Sequence, residues 1–207
     1  MADSVKQKNG KEIPMTAPHK KTKAQIKKDI INFLDKTSGG VDPKPGKYGC
    51  GMLHRNALVL ATSYKDTPRA TVLEFFNEGL TIYIFGEPGG KIANLKRNPK
   101  VSAVVYEQPL DHAKFQRSLQ IFGASELINV RNNQKIFNAK MNKWNLLAVG
   151  KKLLSPMLKA RSHSGKAADE TVKKFLSALN LIKITPQHII LKEYHPDFSM
   201  HKYEWKK

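Results

Sequence analysis

The first periodic segment of the chain is helical. Four large apolar residues recur at steps of three and four, so they share one face of a helix: Ile26, Ile30, Phe33 and Leu34. Thr22, followed three residues later by Gln25, forms a capping box that satisfies free backbone N–H groups at a helix start. This pattern predicts a helix over residues 23–36, ended by Gly39.

Strand-like periodicity begins after residue 56. Runs rich in β-branched and aromatic residues, separated by short turns, cover residues 57–63, 69–76, 80–85 and 101–106. Four such runs in sequence predict an antiparallel meander. A fifth strand is predicted over residues 116–128, with a bulge at Gly123, because glycine inside a strand often marks one.

Helices interrupt and follow these strands. A short helix is predicted to begin near Gly90 and to end at Pro99, and a later segment has apolar residues at helical steps: Phe137, Met141, Trp144 and Ala148. A last helix, residues 168–179, leads into a closing strand over residues 181–194. Residues 151–166 carry five basic residues and no acidic one, which predicts an exposed loop or lid. This order of elements is typical of an α+β barrel with flanking helices.

Composition and length predict one domain preceded by a tail. The chain has 207 residues, of which 40% are hydrophobic, enough for one sizeable core. Residues 1–21 lack apolar periodicity and predict a mobile basic tail, which leaves residues 22–207 as the domain. Cys50 is the only cysteine, so no intramolecular disulfide is expected, and no apolar run resembles a signal peptide or a membrane span. We therefore expect a cytoplasmic protein that is not embedded in a membrane.

The strong positive charge leaves several partners open. A formal net charge of +19 attracts nucleic acid, anionic lipid or an acidic small molecule. A solvated lysine-rich surface is the simplest interpretation. Binding to RNA or DNA is the second, although the chain lacks the interleaved basic and aromatic face that base stacking needs.

Most familiar site motifs are missing from the sequence. There is no Walker loop, no dinucleotide fingerprint and no spacing typical of a zinc site. Four histidines are therefore interpreted as surface or packing residues, and no metal site is expected: His112, His188, His195 and His201. One anion site is predicted, where Gly89, Gly90 and Lys91 open a helix directly after a strand and so combine free N–H groups with an ammonium.

A second element is expected to contribute to this anion site. Arg69 and Thr71 lie two residues apart on one strand, so their side chains point to the same face. A guanidinium and a hydroxyl from this strand could hold the same phosphate that the helix start binds.

These segments together resemble a known family. The pattern Arg-x-Thr-Val at residues 69–72, followed by Lys-x-x-Asn-Leu-x-x-Asn-Pro-x-Val-Ser at residues 91–102, is similar to that of the pyridoxamine 5'-phosphate oxidase-like family of FMN-binding split β-barrels. The resemblance covers about residues 54–130. It implies that FMN binds between the two subunits of a homodimer. The flavin would transfer electrons or hydride to an unidentified small molecule, and anionic substrates are among the candidates.

The resemblance also implies which residues contact the flavin. They are Arg69, Ala70, Thr71, Val72, Ile84, Phe85, Gly90, Lys91 and Ser118, with Arg69 and Lys91 on the phosphate. Two positions depart from the family: Gly90 stands where an arginine is common, and Glu74 stands where the vitamin oxidases have a lysine for the substrate phosphate. A carboxylate repels phosphate, which argues against vitamin B6 oxidation. No catalytic residue is assigned, because a flavin carries the redox chemistry itself; a flavin- or haem-binding module without turnover stays an alternative.

Overall fold

The computed structural model describes residues 5–6, 12–13, 19–38, 57–106 and 114–207. The helices in these ranges are α1 Lys23–Thr37, α2 Gly90–Arg97, α3 Val130–Lys143, α4 Leu146–Leu153, α5 Ser155–Ala160 and α6 Gly165–Ser177. The strands are β1 Val5–Lys6, β2 Glu12–Ile13, β3 Leu58–Tyr64, β4 Thr67–Leu73, β5 Phe76–Glu78, β6 Thr81–Gly86, β7 Lys100–Tyr106, β8 Gln116–Ile128, β9 Asn180–Tyr194 and β10 Met200–Lys206. The connector predicted over residues 38–48 lies outside the described residues, apart from Ser38.

The first helix forms as its sequence predicts. The Thr22 hydroxyl accepts from the Gln25 N–H at 3.2 Å, and the Gln25 side chain accepts from the Thr22 N–H at 2.8 Å. All four predicted apolar residues are buried. Just before the helix, Lys21 pairs with Asp29 at 2.9 Å and with Glu193 of β9 at 2.7 Å. The chain is thus attached to the barrel from Lys21 onward, while most of the predicted tail lies outside the described residues.

Strands β3–β10 form one curled sheet, β1 and β2 pair separately, and the predicted meander is wrong. Their order in the sheet is β4-β3-β7-β8-β9-β6-β5, with β10 on β9. The predicted strand over residues 69–76 divides into β4 and β5, which lie at the two ends of this order yet are joined by only Glu74 and Phe75. Consecutive Cα atoms are about 3.8 Å apart, so these two ends must lie close together. The sheet therefore closes on itself as a split barrel, and the predicted fold class is confirmed.

The longest pair of strands carries the predicted bulge. β8 and β9 are antiparallel, with a register shift between Phe122 and Gly123. A Cβ at Gly123 would lie 2.4 Å from the Thr185 carbonyl oxygen, so only glycine allows this approach. The bulge increases the twist of the sheet between β8 and β9.

Two hydrophobic clusters fill the molecule. The first occupies the barrel and includes Leu60, Ile84 and Ile189, all fully buried. The second lies between the barrel and helices α3–α6 and includes Phe137 and Val172. The loop predicted over residues 151–166 is wrong, because much of it is helical and Leu158 is buried against this second cluster. We call α3–α6 the helical cap.

Strand β10 is an element that the sequence interpretation omitted. Alternate residues His201, Tyr203 and Trp205 are buried, while the residues between them are exposed. This is the period-two pattern of a strand with one buried face, and it pairs with β9 as a hairpin. Within the described ranges, none of the helices is both long and apolar enough to cross a membrane.

Candidate cofactor site

Helix α2 is fixed against the barrel by the asparagines of the family-like pattern. The Asn94 side chain donates to the Thr62 hydroxyl of β3 at 3.2 Å, and the Asn98 side chain donates to the Ser63 carbonyl at 3.1 Å. Leu95 is buried in the barrel cluster. Most residues of this pattern therefore hold the helix against the barrel. The first turn of the helix is available to bind a ligand.

The start of α2 faces the guanidinium of Arg69. A Cβ added to Gly90 would lie 2.8 Å from both Cζ and Nε of Arg69, so the arginine occupies the space that any larger side chain at position 90 would need. Arg69 lies on β4, opposite Thr62 of β3, the same residue that Asn94 binds. The family resemblance implies an arginine at position 90, whereas this chain has glycine there. The space beside this glycine is occupied by the Arg69 guanidinium from β4.

Lys91 approaches the same helix start from the other side. Its side chain crosses Gly86 at the end of β6, where an added Cβ would be 3.0 Å from the Lys91 Cε. The first helical hydrogen bond runs from the Ala93 N–H to the Gly89 carbonyl at 3.0 Å. The N–H groups of Gly90, Lys91 and Ile92 therefore precede the first intrahelical donor and have no acceptor within the helix.

An FMN phosphate fits these residues. The Arg69 guanidinium lies against Gly90 and Lys91 extends from the next residue past Gly86, so two cationic side chains flank the helix N-terminus, and each of these groups binds phosphate. The arrangement supplies full charges from Arg69 and Lys91 in addition to the partial charge of the helix end. It offers no acidic side chain from α2, whose first turn contains none.

A cavity of about 360 Å³ opens next to Lys91. Its barrel side is formed by the ends of β4 and β6, including Val72 and Phe85, and its far side by apolar residues of α4 and α6. Glu74 and Glu87 add carboxylates to the lining. The cavity is therefore mainly apolar, with one ammonium and two carboxylates among its lining residues.

Aromatic stacking and ion pairs hold the helical cap over this cavity. Trp144 stacks on Phe76 of β5 with ring centroids 4.6 Å apart, and Phe85 meets Trp144 edge-on at 6.1 Å. Glu78 of β5 accepts from Lys140 at 2.5 Å and from Lys143 at 2.7 Å. Burial raises the pKa of Glu78, but the hydrogen bonds from the two lysines outweigh it and lower that pKa to about 2.

The structure brings together some of the predicted contact residues and separates others. Ala70, Thr71 and Val72 lie on β4 beside Arg69, and Val72 is 67% exposed. Ile84 lies fully buried in the barrel cluster, so its side chain faces away from solvent. Ser118 lies three strands from β4, on β8, with its hydroxyl 3.5 Å from that of Tyr194. The chain thus places Ser118 outside the group formed by β4, β6 and α2.

The cavity wall from the helical cap was not found from the sequence. It consists mainly of Leu146, Val149, Gly150, Phe175 and Leu176. A Cβ at Gly150 would lie 2.6 Å from Val172, so this glycine lets α4 and α6 pack closely. The apolar run from Leu146 to Val149 was the available signal, but the basic residues after it favoured a loop.

Comparison with known proteins agrees with this geometry. The family model described as Pyridoxamine 5'-phosphate oxidase matches residues 51–189. No curated protein matches the chain in sequence.

Solved structures of similar fold come from bacteria. An FAD-binding protein of Mesorhizobium loti is 17% identical, with 67% of this chain and 84% of that one covered and a TM-score of 0.43. PhzG of Burkholderia lata, in complex with tetrahydrophenazine-1-carboxylic acid, is 13% identical, with coverage of 73% and 76% and a TM-score of 0.46. A heme binding protein of Mycobacterium smegmatis is 15% identical, with coverage of 72% and 52% and a TM-score of 0.43.

The family model spans the barrel strands from β3 into β9 together with α2, so it includes the residues that form the candidate site. This chain belongs to the pyridoxamine 5'-phosphate oxidase family.

Proposed function

We propose that the protein is an FMN-dependent oxidoreductase whose phosphate site consists of Arg69, Lys91 and the start of α2. The observation that carries the proposal is the position of the Arg69 guanidinium directly over Gly90. The guanidinium adds a positive charge from β4 to the N-terminus of α2, next to Lys91. Family membership supports a flavin, and a phosphate site favours a phosphorylated flavin such as FMN over riboflavin.

The free edge of β4 suits the flavin ring. In the described part of the chain β4 pairs with β3 alone, so alternate backbone N–H and C=O groups along residues 70–72 are directed away from the sheet. Such groups match the donors and acceptors of the isoalloxazine edge. Bound FMN supplies hydride or electron transfer, while the chain contributes binding, orientation and exclusion of water by the helical cap.

The cavity indicates the class of substrate. A volume of about 360 Å³ with mainly apolar walls suits a small molecule with a flat or aliphatic body. Glu74 and Glu87 among the lining residues disfavour a phosphorylated substrate, since like charges repel at close range. We therefore infer a small and predominantly apolar substrate.

We further propose that the protein is a homodimer formed through the outer face of β4, β3 and β7. Val72, Val59 and Val104 lie side by side in register across these strands. Val72 is 67% and Val104 37% exposed, and aligned exposed valines are typical of a surface that a partner covers. A second copy there would also enclose a flavin on β4. Light scattering is expected to give about twice the chain mass of 23.3 kDa, and Val104→Glu is expected to lower it towards a monomer.

The visible absorption spectrum of the purified protein, followed by FMN titration, tests the proposal. We expect a flavin spectrum, and we expect Arg69→Ala and Lys91→Ala each to weaken FMN binding by about 1.5–3 kcal/mol, the contribution of a hydrogen bond to a charged group. Lys96→Ala is the matched control, because Lys96 is an exposed lysine in the last turn of the same helix. Equal FMN affinity of all three variants and the parent would refute the phosphate site.

Turnover is tested separately from binding. Anaerobic addition of reduced nicotinamide cofactors should bleach the flavin absorbance, and re-oxidation by candidate acceptors should restore it. A protein that binds FMN but is reduced by neither nicotinamide would instead be a flavin-binding module, or would use another donor.

A further inference from the structure

A group of three metal-ligating side chains lies at the β9–β10 hairpin. Glu193 is on β9, directly opposite His201 of β10 in the strand register. His195 begins the turn between the two strands. One possible ligand atom from each residue lies within 4.8 Å of the other two, and both Glu193 and His201 are buried. We propose that Glu193, His195 and His201 bind a divalent transition-metal ion, with Zn²⁺ as the best chemical match.

The turn holds His195 towards the other two ligands. The His195 N–H donates to the Ser199 carbonyl at 3.0 Å, and the Phe198 N–H donates to the His195 carbonyl at 2.9 Å. Asp197 accepts from the Ser199 N–H at 2.9 Å and from its hydroxyl at 2.6 Å. Phe198 has a φ of 64°, a left-handed conformation that is unfavourable for a bulky side chain. Strained turns of this kind persist where surrounding contacts fix them, and they cluster at functional sites.

A buried nitrogen at this turn lacks a hydrogen-bond partner. Within the described residues, the His195 Nε2 is fully covered and accepts or donates no hydrogen bond. Leaving a buried polar atom without a hydrogen bond is energetically unfavourable. The His195 and His201 rings are 4.6 Å apart between centroids and tilted by 49°, which directs both imidazoles into one small volume. A bound metal ion would satisfy the unpaired nitrogen.

The ligand types favour zinc. Two histidines and one glutamate form a three-ligand set known from zinc sites that keep an open fourth position. Zinc holds nitrogen and oxygen ligands at about 2.0–2.2 Å, so the three side chains, whose ligand atoms lie within 4.8 Å of one another, must rotate inward to close around an ion. A pocket of about 90 Å³ lies beside His195 and is lined also by Lys114, Gln116, Tyr194, Phe198 and Ser199.

Lys21 limits the strength of this site. It donates to the Glu193 Oε1 at 2.7 Å and lies 4.3 Å from the centre of the Tyr203 ring. The ammonium pairs with the carboxylate, and it also repels a dication bound close by. Lys21 and Glu193 therefore give a matched pair of variants, since Lys21→Met and Glu193→Gln remove the same ion pair while only the second removes the carboxylate.

The test is a metal titration of the full chain without an affinity tag. After removal of metal by a chelator, Co²⁺ should give the visible absorption bands of a bound ion, saturate at one ion per chain, and be displaced by Zn²⁺. His195→Ala and His201→Ala should each weaken Co²⁺ binding by at least about tenfold. Losing a residue that only hydrogen-bonds to a metal ligand already costs about that much, and losing a ligand should cost more. His188→Ala is the control, because His188 lies on β9 and pairs with Glu204 outside the group.

The glutamate variants complete the test. Glu193→Gln should weaken Co²⁺ binding, whereas Lys21→Met should bind as tightly as the parent or more tightly. Melting temperatures of the metal-free variants show whether each one folds, and Zn²⁺ should raise the melting temperature of the parent but not of the histidine variants. The proposal is overturned if the parent binds no ion, or if the two histidine variants retain parental affinity. It is also overturned if Lys21→Met and Glu193→Gln weaken binding equally.

Discussion

The two ends of strand β9 carry sites of opposite chemistry. At Asn180 the strand pairs with Gly86 of β6, next to Lys91 and the cavity. At Tyr194, about 45 Å further along by the usual rise per strand residue, it leads into the turn with His195. The first end combines arginine, lysine and a helix N-terminus, which attract an anion. The second combines glutamate and two histidines, which attract a cation.

The two ends also differ in how many parts of the fold they need. The anion site draws on β4, β6 and α2, and the helical cap closes the cavity beside it. The proposed metal ligands come from one hairpin, and its neighbours from other elements include Lys21 ahead of α1 and Gln116 and Arg117 of β8. A site built from several elements should therefore respond to changes in their relative position, whereas a hairpin site should respond mainly to its own side chains.

The largest effect is expected from a change in the strand pair that joins both ends. In Gly123→Ala the added Cβ would lie 2.4 Å from the Thr185 carbonyl oxygen, and backbone atoms cannot rotate away. We expect the free energy of unfolding, measured by urea titration, to fall by about 2–3 kcal/mol. Ala124→Gly, which removes a Cβ from the next residue of β8, should cost about 1 kcal/mol at most. A parental value for Gly123→Ala would contradict the bulge geometry.

A second change separates the anion site from stability. In Gly90→Ala the new methyl group would lie 2.8 Å from the Arg69 guanidinium, so this flexible side chain must shift away from the helix start. FMN affinity should fall about tenfold, the equivalent of roughly 1.4 kcal/mol, while helix propensity favours alanine and the free energy of unfolding should stay level or rise. Binding of Co²⁺ at the other end should not change. Parental FMN affinity would show that Arg69 is not held there for a ligand.

The smallest effect is expected at the link between barrel and helical cap. The pKa of Glu78 is lowered to about 2 from its ordinary 4.5, so its ion pairs with Lys140 and Lys143 stabilise the fold above the unfolded pKa. That stability is lost as pH falls from about 4.5 towards 2.

We expect Glu78→Gln to lower the free energy of unfolding by about 1 kcal/mol near neutral pH, and the gap to the parent to close as pH falls through this window. Glu126→Gln, which removes a more exposed pair with Lys183, serves as control. A gap that stays constant down to the lowest pH would exclude Glu78 as its source.

Local sequence patterns were sufficient to predict much of the barrel and to propose the anion site. The capping box at Thr22, the alternation in β8 and the glycine bulge each depend on neighbouring residues, so the sequence alone predicts them. Arg69 and Lys91 could be paired because a family resemblance linked their segments. Their actual relation, with the arginine over Gly90, required the packing of β4 against α2.

Long-range pairing decided the parts that were mispredicted. The chain passes from β4 to β5 across the closure of the barrel, and local periodicity cannot distinguish that step from a hairpin. The basic residues over 151–166 suggested a loop, although Leu154, Met157 and Leu158 pack into the second cluster. His195 and His201 have no spacing typical of a metal site, and only the hairpin of β9 with β10 brings them to Glu193.

The most direct test compares FMN with riboflavin, which lacks the phosphate, in the parent and in Lys91→Ala. We predict that the parent binds FMN at least about tenfold more tightly than riboflavin, since one charged hydrogen bond contributes about 1.5–3 kcal/mol. Lys91→Ala should lose most of this preference while its riboflavin affinity stays near the parental value. Equal affinity of the parent for both flavins, or an equal loss of both in Lys91→Ala, would contradict a phosphate site at the start of α2.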